Sequence, residues 1–522
     1  MQDSLKLGFF IQPVHPPFRS YADVLREDRE AVMLADRLDY REAFIGEHLV
    51  DSAETITSSL AFIANLADAC PSITFGTGVL PLANYHPAMA AAQVAMVDHL
   101  VQGRLVLGVG PGVPGDAEAI GDLWSDRNRK TQEALDHIRR IWIEEPPYRI
   151  EGEFYRTTTE RSLDRRIGVG VAVRPLQRPH PPIAITSIRP GSRGPHTAGA
   201  RDWTGISATY VGAYVVRAHI QNYLEGRRSA GLSVDPSGWR VARSIFVAED
   251  ETTARRYAHR EDGAHGFYFH VMRTKLSAVG ALDLLRDHPD QPDSELSLKR
   301  CIERLVIAGT AESVADQVLA FRNEVGAFGT LLYTGHDWTD PALARRSMEL
   351  MANEVWPRIE RAVRGTAEAA LETQHRSITR GRSFSDHPLG SGKRKSRLID
   401  QPGGTMSRSP SPVIACNLDV LSAAERDRRA ALAQAVVAQA HSIRELTDGY
   451  ALQLPATSSL AHESLEWLLL ERRCCSFFRL ELELEPDEGS LWLRLRGGPG
   501  VKEFLSSAGA ISRRTEGSAS RR

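Results

Sequence analysis

The chain has 522 residues, 42% hydrophobic and 25% charged, the profile of a soluble globular protein too long for one ordinary domain. Lys plus Arg number 64 against 66 Asp plus Glu, a net charge of -2, so no global bias points to nucleic acid. No apolar run reaches the roughly 18 residues of a membrane span, no secretory signal is visible at the N-terminus, and five cysteines, an odd number, argue against a disulfide framework; the expected compartment is the cytoplasm.

Leu5–Gln12 reads as a buried strand, and Tyr21–Leu38 as a helix with Val24, Leu25, Val32 and Leu34 near one face. A second strand is expected over Arg41–Gly46, a helix over Ser58–Ala69, and a third, β-branched strand over Ile73–Leu80. Pro87 opens a helix running to Leu100, where its missing N–H costs little, and Arg104–Gly110 is the fourth strand. This alternation with short connections predicts a parallel sheet, closed or doubly wound. Further strands are expected at Pro182–Ser187, Thr204–Ala208 and Trp239–Ala248, with a helix over Val211–Ala230. Gly263–Arg300 is punctuated by Asp, Pro and Gln and reads as a functional insertion or lid. Thr310 is the expected N-cap of another helix, Phe328–Tyr333 the eighth strand and Pro341–Val363 the closing helix. Eight strands within residues 1–365 fit a (β/α)8 TIM barrel with insertions.

Residues 366–411 mix Arg, Lys, Ser, Gly and His with few apolar side chains, and are expected to form a disordered basic linker, a solvated tether rather than a nucleic-acid contact. Residues 412–522 read as a small α+β domain: a strand at Val413–Asn417, helices at Ala423–His441 and Ala461–Cys475, and a strand at Gly449–Leu454. A hairpin of Phe478–Glu485 with Leu491–Arg496 and a short helix at Pro499–Ser507 complete it. Met406 precedes this unit, as in a fusion of two proteins.

Polar and flexible residues gather where the first apolar runs end: Phe44-Ile45-Gly46-Glu47-His48, Gly76-Thr77-Gly78-Val79-Leu80-Pro81, Tyr85-His86-Pro87 and Leu107-Gly108-Val109-Gly110-Pro111-Gly112. In an α/β barrel those ends form the active-site face. The last run is not a dinucleotide fingerprint, because its third glycine is misplaced and Pro111 interrupts the turn. His265 and His270, five apart, match no common zinc spacing, and no metal is expected; Phe267 and Tyr268 between them suit an aromatic wall over an apolar substrate or an ordinary packed helix. In the tail, Cys474 and Cys475 suit small buried core residues better than soft-metal or thiol chemistry, with Cys416 and His462 as the residues that could converge on them.

These motifs resemble the bacterial luciferase-like flavin-dependent monooxygenases, in particular the limonene-monooxygenase-like subgroup, over about Leu5 to Arg361. Ile45-Gly46-Glu47-His48, Glu54-Thr55-Ile56, Asp98-His99-Leu100, Gln177-Arg178-Pro179-His180-Pro181 and His336-Asp337-Trp338 add to the match. The resemblance implies that His48 lies beside the flavin ring and substrate, where an imidazole could hydrogen-bond a reacting group or move a proton near neutral pH. Glu47 would orient His48 or pair with an arginine. Gly78 and Val79 correspond to backbone running under the ring, and Gly108, Gly110 and Gly112 would let the fourth strand end approach it. Asn84 and His86 are candidates for the substrate side. Ser187, Ser192 and Arg193 offer hydroxyls, backbone N–H groups and a cation for the FMN phosphate, in a turn longer and more basic than in close relatives.

The implied reaction uses reduced FMN, supplied by a separate NAD(P)H:flavin reductase, and O2 to oxygenate a small apolar organic substrate such as a terpene. The alternatives are an F420-dependent hydride-transfer enzyme on the same barrel and a non-catalytic flavin-binding protein. No nucleic acid or membrane partner is implied, and a homodimer is compatible with the resemblance. The tail resembles a small family sharing its Glu-Arg-Arg-Cys-Cys and Leu-Trp-Leu-Arg-Leu patterns, without an implied activity.

Overall fold

A computed structural model describes residues 5–12, 14–365, 421–475, 478–485, 489–498 and 501–502. The chain divides into two compact units, Met1–Pro388 and Leu389–Arg522. The stretch expected as a linker and the strand expected at Val413–Asn417 lie outside the described residues, as does most of Pro499–Ser507.

In the first unit the strands, in chain order, are β1 (Lys6–Ile11), β2 (Glu42–Ile45), β3 (Thr74–Thr77), β4 (Leu80–Pro81), β5 (Leu105–Gly110), β6 (Arg149–Glu151), β7 (Arg156–Thr158), β8 (Ile183–Ser187), β9 (Thr204–Ser207), β10 (Trp239–Val247), β11 (Val306–Gly309) and β12 (Thr330–Gly335). Eight of them, β1, β2, β3, β5, β8, β9, β10 and β12, pair in parallel in that order. The ring closes where β12 returns to β1, with Lys6 opposite Thr330 through Ile11 opposite Gly335. Helices surround the ring, so both faces of each strand are covered, and the strands are accordingly near-continuous apolar runs such as Leu-Val-Leu-Gly-Val-Gly. This is a closed TIM barrel.

The barrel interior is filled rather than hollow. Phe10, Phe44, Val106, Ala184, Ile206, Ala242 and Leu332 form one buried cluster, a residue from each of seven strands. The eighth, β3, contributes Gly76, whose added Cβ would lie 2.3 Å from the Phe44 ring, so that strand makes room for the aromatic. Beside this layer Glu42 accepts two hydrogen bonds from Arg240, at 2.6 and 3.0 Å, and the Arg240 guanidinium lies over the Phe44 ring. A buried bidentate pair of this kind neutralises both charges in place.

The structure departs from the expectations at several points. Ile73–Leu80 is not one strand: it divides into β3 and β4 around Gly78–Val79, whose peptide bond is cis. Val306–Gly309, to which no strand was assigned, is β11; it pairs with the last four residues of β10, while β12 pairs with Arg240–Ser244. β6 and β7 form an antiparallel hairpin in a region assigned no element. The stretch read as irregular contains a regular helix, Ala264–Ala278. The closing helix runs over Pro341–Leu350, through a π-helical turn at Met351–Val355, and on through 356–365.

In the second unit the described strands are β13 (Ser442–Leu446), β14 (Gly449–Leu454), β15 (Phe478–Leu484) and β16 (Leu491–Gly497), an antiparallel sheet in the order β13-β14-β16-β15. The expected hairpin is β15–β16, while β13 was assigned no strand. Leu452 opposite Leu493 and Leu454 opposite Leu491 form the inner face, against which Leu460, Trp467 and Leu468 of the helix Ser458–Cys474 pack. Cys70, Cys301 and Cys474 are free buried thiols, and Cys475 is disulfide-bonded.

Candidate active site

β2 runs out of pairing at Ile45, and the next residues turn onto the carboxyl-end face of the barrel. Gly46 N–H donates to Ile11 O and Gly78 N–H to Ile45 O, so the ends of β1, β2 and β3 are laced together where His48 emerges. Its Nε2 lies 2.9 Å from Glu54 Oε2, and its Nδ1 lies 3.6 Å from Asp116 Oδ2. The second distance is a charged contact longer than an ordinary hydrogen bond, with Nδ1 facing the Asp116 carboxylate. Burial opposes charge on the imidazole, but Glu54 and then Asp116 outweigh it and raise its pKa to about 10. His48 is therefore an imidazolium throughout the neutral range, a fixed donor and positive charge.

The two carboxylates are held by other groups. Asp116 Oδ1 accepts from the backbone N–H of Leu49 and Val50, both at 3.1 Å, and its pKa is lowered, with burial opposed by these bonds and by His48. Glu54 is buried, yet His48 and Lys275 bring its pKa down to about 2. Lys275 Nζ donates to Glu54 Oε1 at 2.5 Å and to Asp51. Among the described residues Glu47 bonds neither the imidazole nor an arginine: it accepts from Ser59 N–H and Oγ and from Tyr85 Oη, at 2.8, 2.7 and 2.6 Å. It thus ties the helix Ser59–Leu66 to the strand end, and burial pushes its pKa upward against those bonds.

Lys275 belongs to the helix Ala264–Ala278, and its face is set by helical spacing. His265, Tyr268, Met272 and Lys275, at i, i+3, i+7 and i+10, lie on one side. His265 meets the His336 ring after β12, Tyr268 Oη donates to Gln12 Oε1 at 3.0 Å after β1, and Lys275 reaches Glu54 after β2. The helix therefore crosses the barrel mouth above three adjacent strands. Tyr268 is fully buried in that contact, while Phe267 is partly buried and packs in the adjoining apolar cluster.

The glycines after β3 and on β5 face protein. A Cβ on Gly108 would lie 1.9 Å from Thr77 O, and Thr77 Oγ1 donates to Gly108 O at 2.6 Å. Val79 and Phe10 side chains likewise fill the space beside Gly110 and Gly78. Gly112 has φ +74, and a Cβ there would lie 2.9 Å from Arg127 Nη2. These glycines thus leave room for the packing of the strand ends. Gly108→Ala should destabilise the fold by about 1–3 kcal/mol, since the clash is with backbone and cannot be relieved by a rotamer; urea unfolding of the variant measures this. Asn84 Oδ1 accepts from Arg127 Nη2 at 2.5 Å, and Arg127 also donates to Pro111 O, which fixes the loop after β5. His86 is the N-cap of the helix Pro87–Leu100: its Nδ1 accepts from Ala88 N–H, and it is exposed. These two residues, expected on the substrate side, thus have local structural tasks.

Ser187 ends β8 and is buried; Ser192 and Arg193 lie in the turn before the helix Gly194–Ala200, with Ser192 N–H donating to Arg189 O. Arg193 is exposed and forms no ion pair among the described residues. The turn is held from behind by the helix Ala213–Ser229. His219 Nε2 donates to Arg189 O at 2.8 Å and its Nδ1 accepts from Ser207 Oγ at 3.0 Å, a tautomer set by these partners. Burial brings its pKa down to about 4, so it stays neutral and keeps that donor. Ser187, Ser192 and Arg193 thus offer two hydroxyls and an unpaired cation to an anion.

Two groups of possible metal ligands occur among the described residues, Glu471 with Cys474 and Cys475, and His15 with Glu27 and Asp337. In the second, the Arg19 guanidinium already bonds both Glu27 and Asp337, and His15 itself is raised to about 9: burial works against its charge, and Asp28 and Asp337 outweigh it. That group is a closed ion network joining the loop after β1 to the end of β12. Sequence reasoning singled out His48 but gave no role to Glu54, Asp116, Lys275, Gln12 or His219. Glu54 stood in a quoted motif; the others are separated from His48 by up to hundreds of positions and carry no local signal.

The sequence matches the luciferase-like monooxygenase family over residues 5–327. It is 29% identical to 4-hydroxyprotoasukamycin monooxygenase of Streptomyces nodosus subsp. asukaensis over 369 residues, 70% of this chain and 94% of that protein. It is 26% identical to limonene 1,2-monooxygenase of Rhodococcus erythropolis, over 73% of this chain and 92% of that one. The fold is similar to that of the oxygenating constituent of 3,6-diketocamphane monooxygenase from Pseudomonas putida, solved with FMN. The TM-score is 0.62 and the identity 24%, over 68% of this chain and 99% of that one. No helix among the described residues is long and apolar enough to cross a membrane. The chain belongs to the luciferase-like monooxygenase family, an oxidoreductase built on a closed parallel barrel.

Proposed function

We propose that the barrel is the oxygenase of a two-component flavin system, which takes reduced FMN from a separate reductase and uses O2 to oxygenate a small apolar organic substrate. The observation that supports this reading is the placement of His48 at the end of β2, 2.9 Å from Glu54 and 3.6 Å from Asp116, beneath a helix that crosses the barrel mouth. When bound and reduced, FMN would supply electrons to dioxygen. The protein's share is to aim the reaction and to keep water out. His48 presents a fixed positive charge to the side where negative charge develops. Tyr268 and Met272, on the inward face of the crossing helix, restrict water at the mouth. Ser187, Ser192 and Arg193 suit the phosphate, for they combine hydroxyls, a turn and an unpaired cation.

The relatives support the class of reaction, and the names of the limonene and diketocamphane monooxygenases are the reason to begin with terpenes. The test is oxygen uptake by the full chain with reduced FMN and a terpene panel, with product analysis for one added oxygen. Tight binding of reduced F420 together with no oxygen uptake on reduced FMN would overturn the reading. His219→Phe should weaken FMN binding about tenfold, by losing the hydrogen bond that ties the Arg189 carbonyl to the helix behind the turn and leaving only the Ser192 N–H on it; a fluorescence titration with FMN measures it.

A further inference from the structure

One polar cluster at the barrel mouth is not used by the reading above. His265 is 2% exposed and neither ring nitrogen has a hydrogen-bond partner. The His336 ring lies against it, centroids 4.7 Å apart and planes at 63°. His336 Nε2 is 2.8 Å from Ser244 Oγ, while its Nδ1 is inaccessible and also without a partner. Both histidines line a cavity of about 20 Å³, walled by Phe246, Tyr257, Tyr333 and Asp337.

Three buried ring nitrogens without partners would each cost about 1–3 kcal/mol if they stayed so. Burial holds His265 down at about 3 and His336 well below its ordinary value, so both rings are neutral at physiological pH. Each neutral ring has one N–H and one lone pair. A filler that meets one nitrogen of each ring must be small, and one that both donates and accepts suits either tautomer of either ring. A space of more than about 10–15 Å³ holds one water, and water is the small molecule with that pairing. A metal ion would find two nitrogens here and no third ligand within reach among the described residues. Dioxygen, a weak acceptor without protons, would leave the ring nitrogens unsatisfied.

We propose that His265 and His336 form a buried binding site for a single water, which bridges the helix Ala264–Ala278 to the end of β12. The bridge continues from His336 to Ser244 on β10, so the crossing helix is joined to the barrel at its N-terminal end through hydrogen bonds, as Lys275 joins it at the other. The site does not depend on the flavin reading, because it is built from protein groups alone.

A crystal structure of the full chain at a resolution that shows ordered solvent tests the proposal. The expected result is one water within about 2.7–3.2 Å of a ring nitrogen of both histidines. A dry cavity, or rings turned onto protein partners, overturns it. Hydrogen exchange of the Ala264–Ala278 amides supplies a second measure. His265→Leu should raise exchange about tenfold, the equivalent of one lost hydrogen bond, while His265→Gln, which keeps a donor and an acceptor, should stay near the wild-type rate. Equal exchange in His265→Leu and wild type, or equal loosening in both variants, removes the water's bridging role.

Discussion

His48→Ala should lower substrate turnover on reduced FMN by about 10²–10³-fold, the usual effect of deleting one fixed donor at a site of developing charge. The side chain is the cationic group between Glu54 and Asp116, so its loss also leaves these carboxylates a more negative site. Lys275 still pairs with Glu54 in the variant, which keeps the fold measurable beside the activity. The pH dependence separates this role from that of a general base. A base with the ordinary histidine pKa would gain activity as pH rises through about 6.5. A donor held at about 10 keeps its proton, so activity that depends on it should persist through neutral pH and fall only as pH approaches about 10. Turnover of wild type and variant across that range, with flavin affinity measured in parallel, gives the result. A rise near pH 6.5 that vanishes in the variant would mean that His48 works as a base.

Glu54→Gln should act on stability and on the same pH limb. The carboxylate is buried, and its removal leaves His48 with Asp116 alone at 3.6 Å and Lys275 with Asp51 alone. Breaking a buried pair by removing one partner costs about 3–5 kcal/mol; Lys275 is partly exposed and solvent screens its share, so the lower part of that range is expected. The His48 pKa should fall from about 10, moving the alkaline limb of turnover to lower pH. In wild type, Glu54 is depressed from 4.5 to about 2, so its contribution is present above pH 4.5 and is lost as pH falls towards 2. His48, raised above 6.5, contributes below 6.5 and loses that contribution as pH rises through about 10. Denaturant midpoints for both proteins at pH 3, 7 and 9.5, roughly the edges of these windows, test the two signs. An unchanged acid limb in Glu54→Gln would show that the carboxylate is not linked to folding.

Much of the barrel was legible because its signals are local. The helix Pro87–Leu100 has its expected ends, since Pro87 suits the first turn and His86 caps it. Thr310 caps Ala311–Val325 by accepting from Ser313 N–H. β1 and β5 read directly as apolar runs because parallel strands are covered on both faces. β11 was missed because four residues ahead of a capped helix have no period of their own; their strand identity comes from the far half of β10. The helix Ala264–Ala278 was obscured by Gly266 and by its small amphipathic contrast, a natural result of burying residues around most of its circumference at the barrel mouth.

The same division runs through the site. The order of motifs identified His48 at the end of β2 and the class of cofactor, because a strand end is set by residues next to it in the chain. The partners of His48 come from position 54, position 116 and position 275, on three separate elements, and their effect on its charge arises from distances of 2.9 and 3.6 Å. The amino-acid sequence by itself thus determined the barrel, its strand-end histidine and the family. Only the tertiary structure decided the protonation of that histidine, the protein-filled space around Gly108 and Gly112, and the helix over the mouth, because each depends on groups brought together by folding in a medium where burial makes every charge and every contact count.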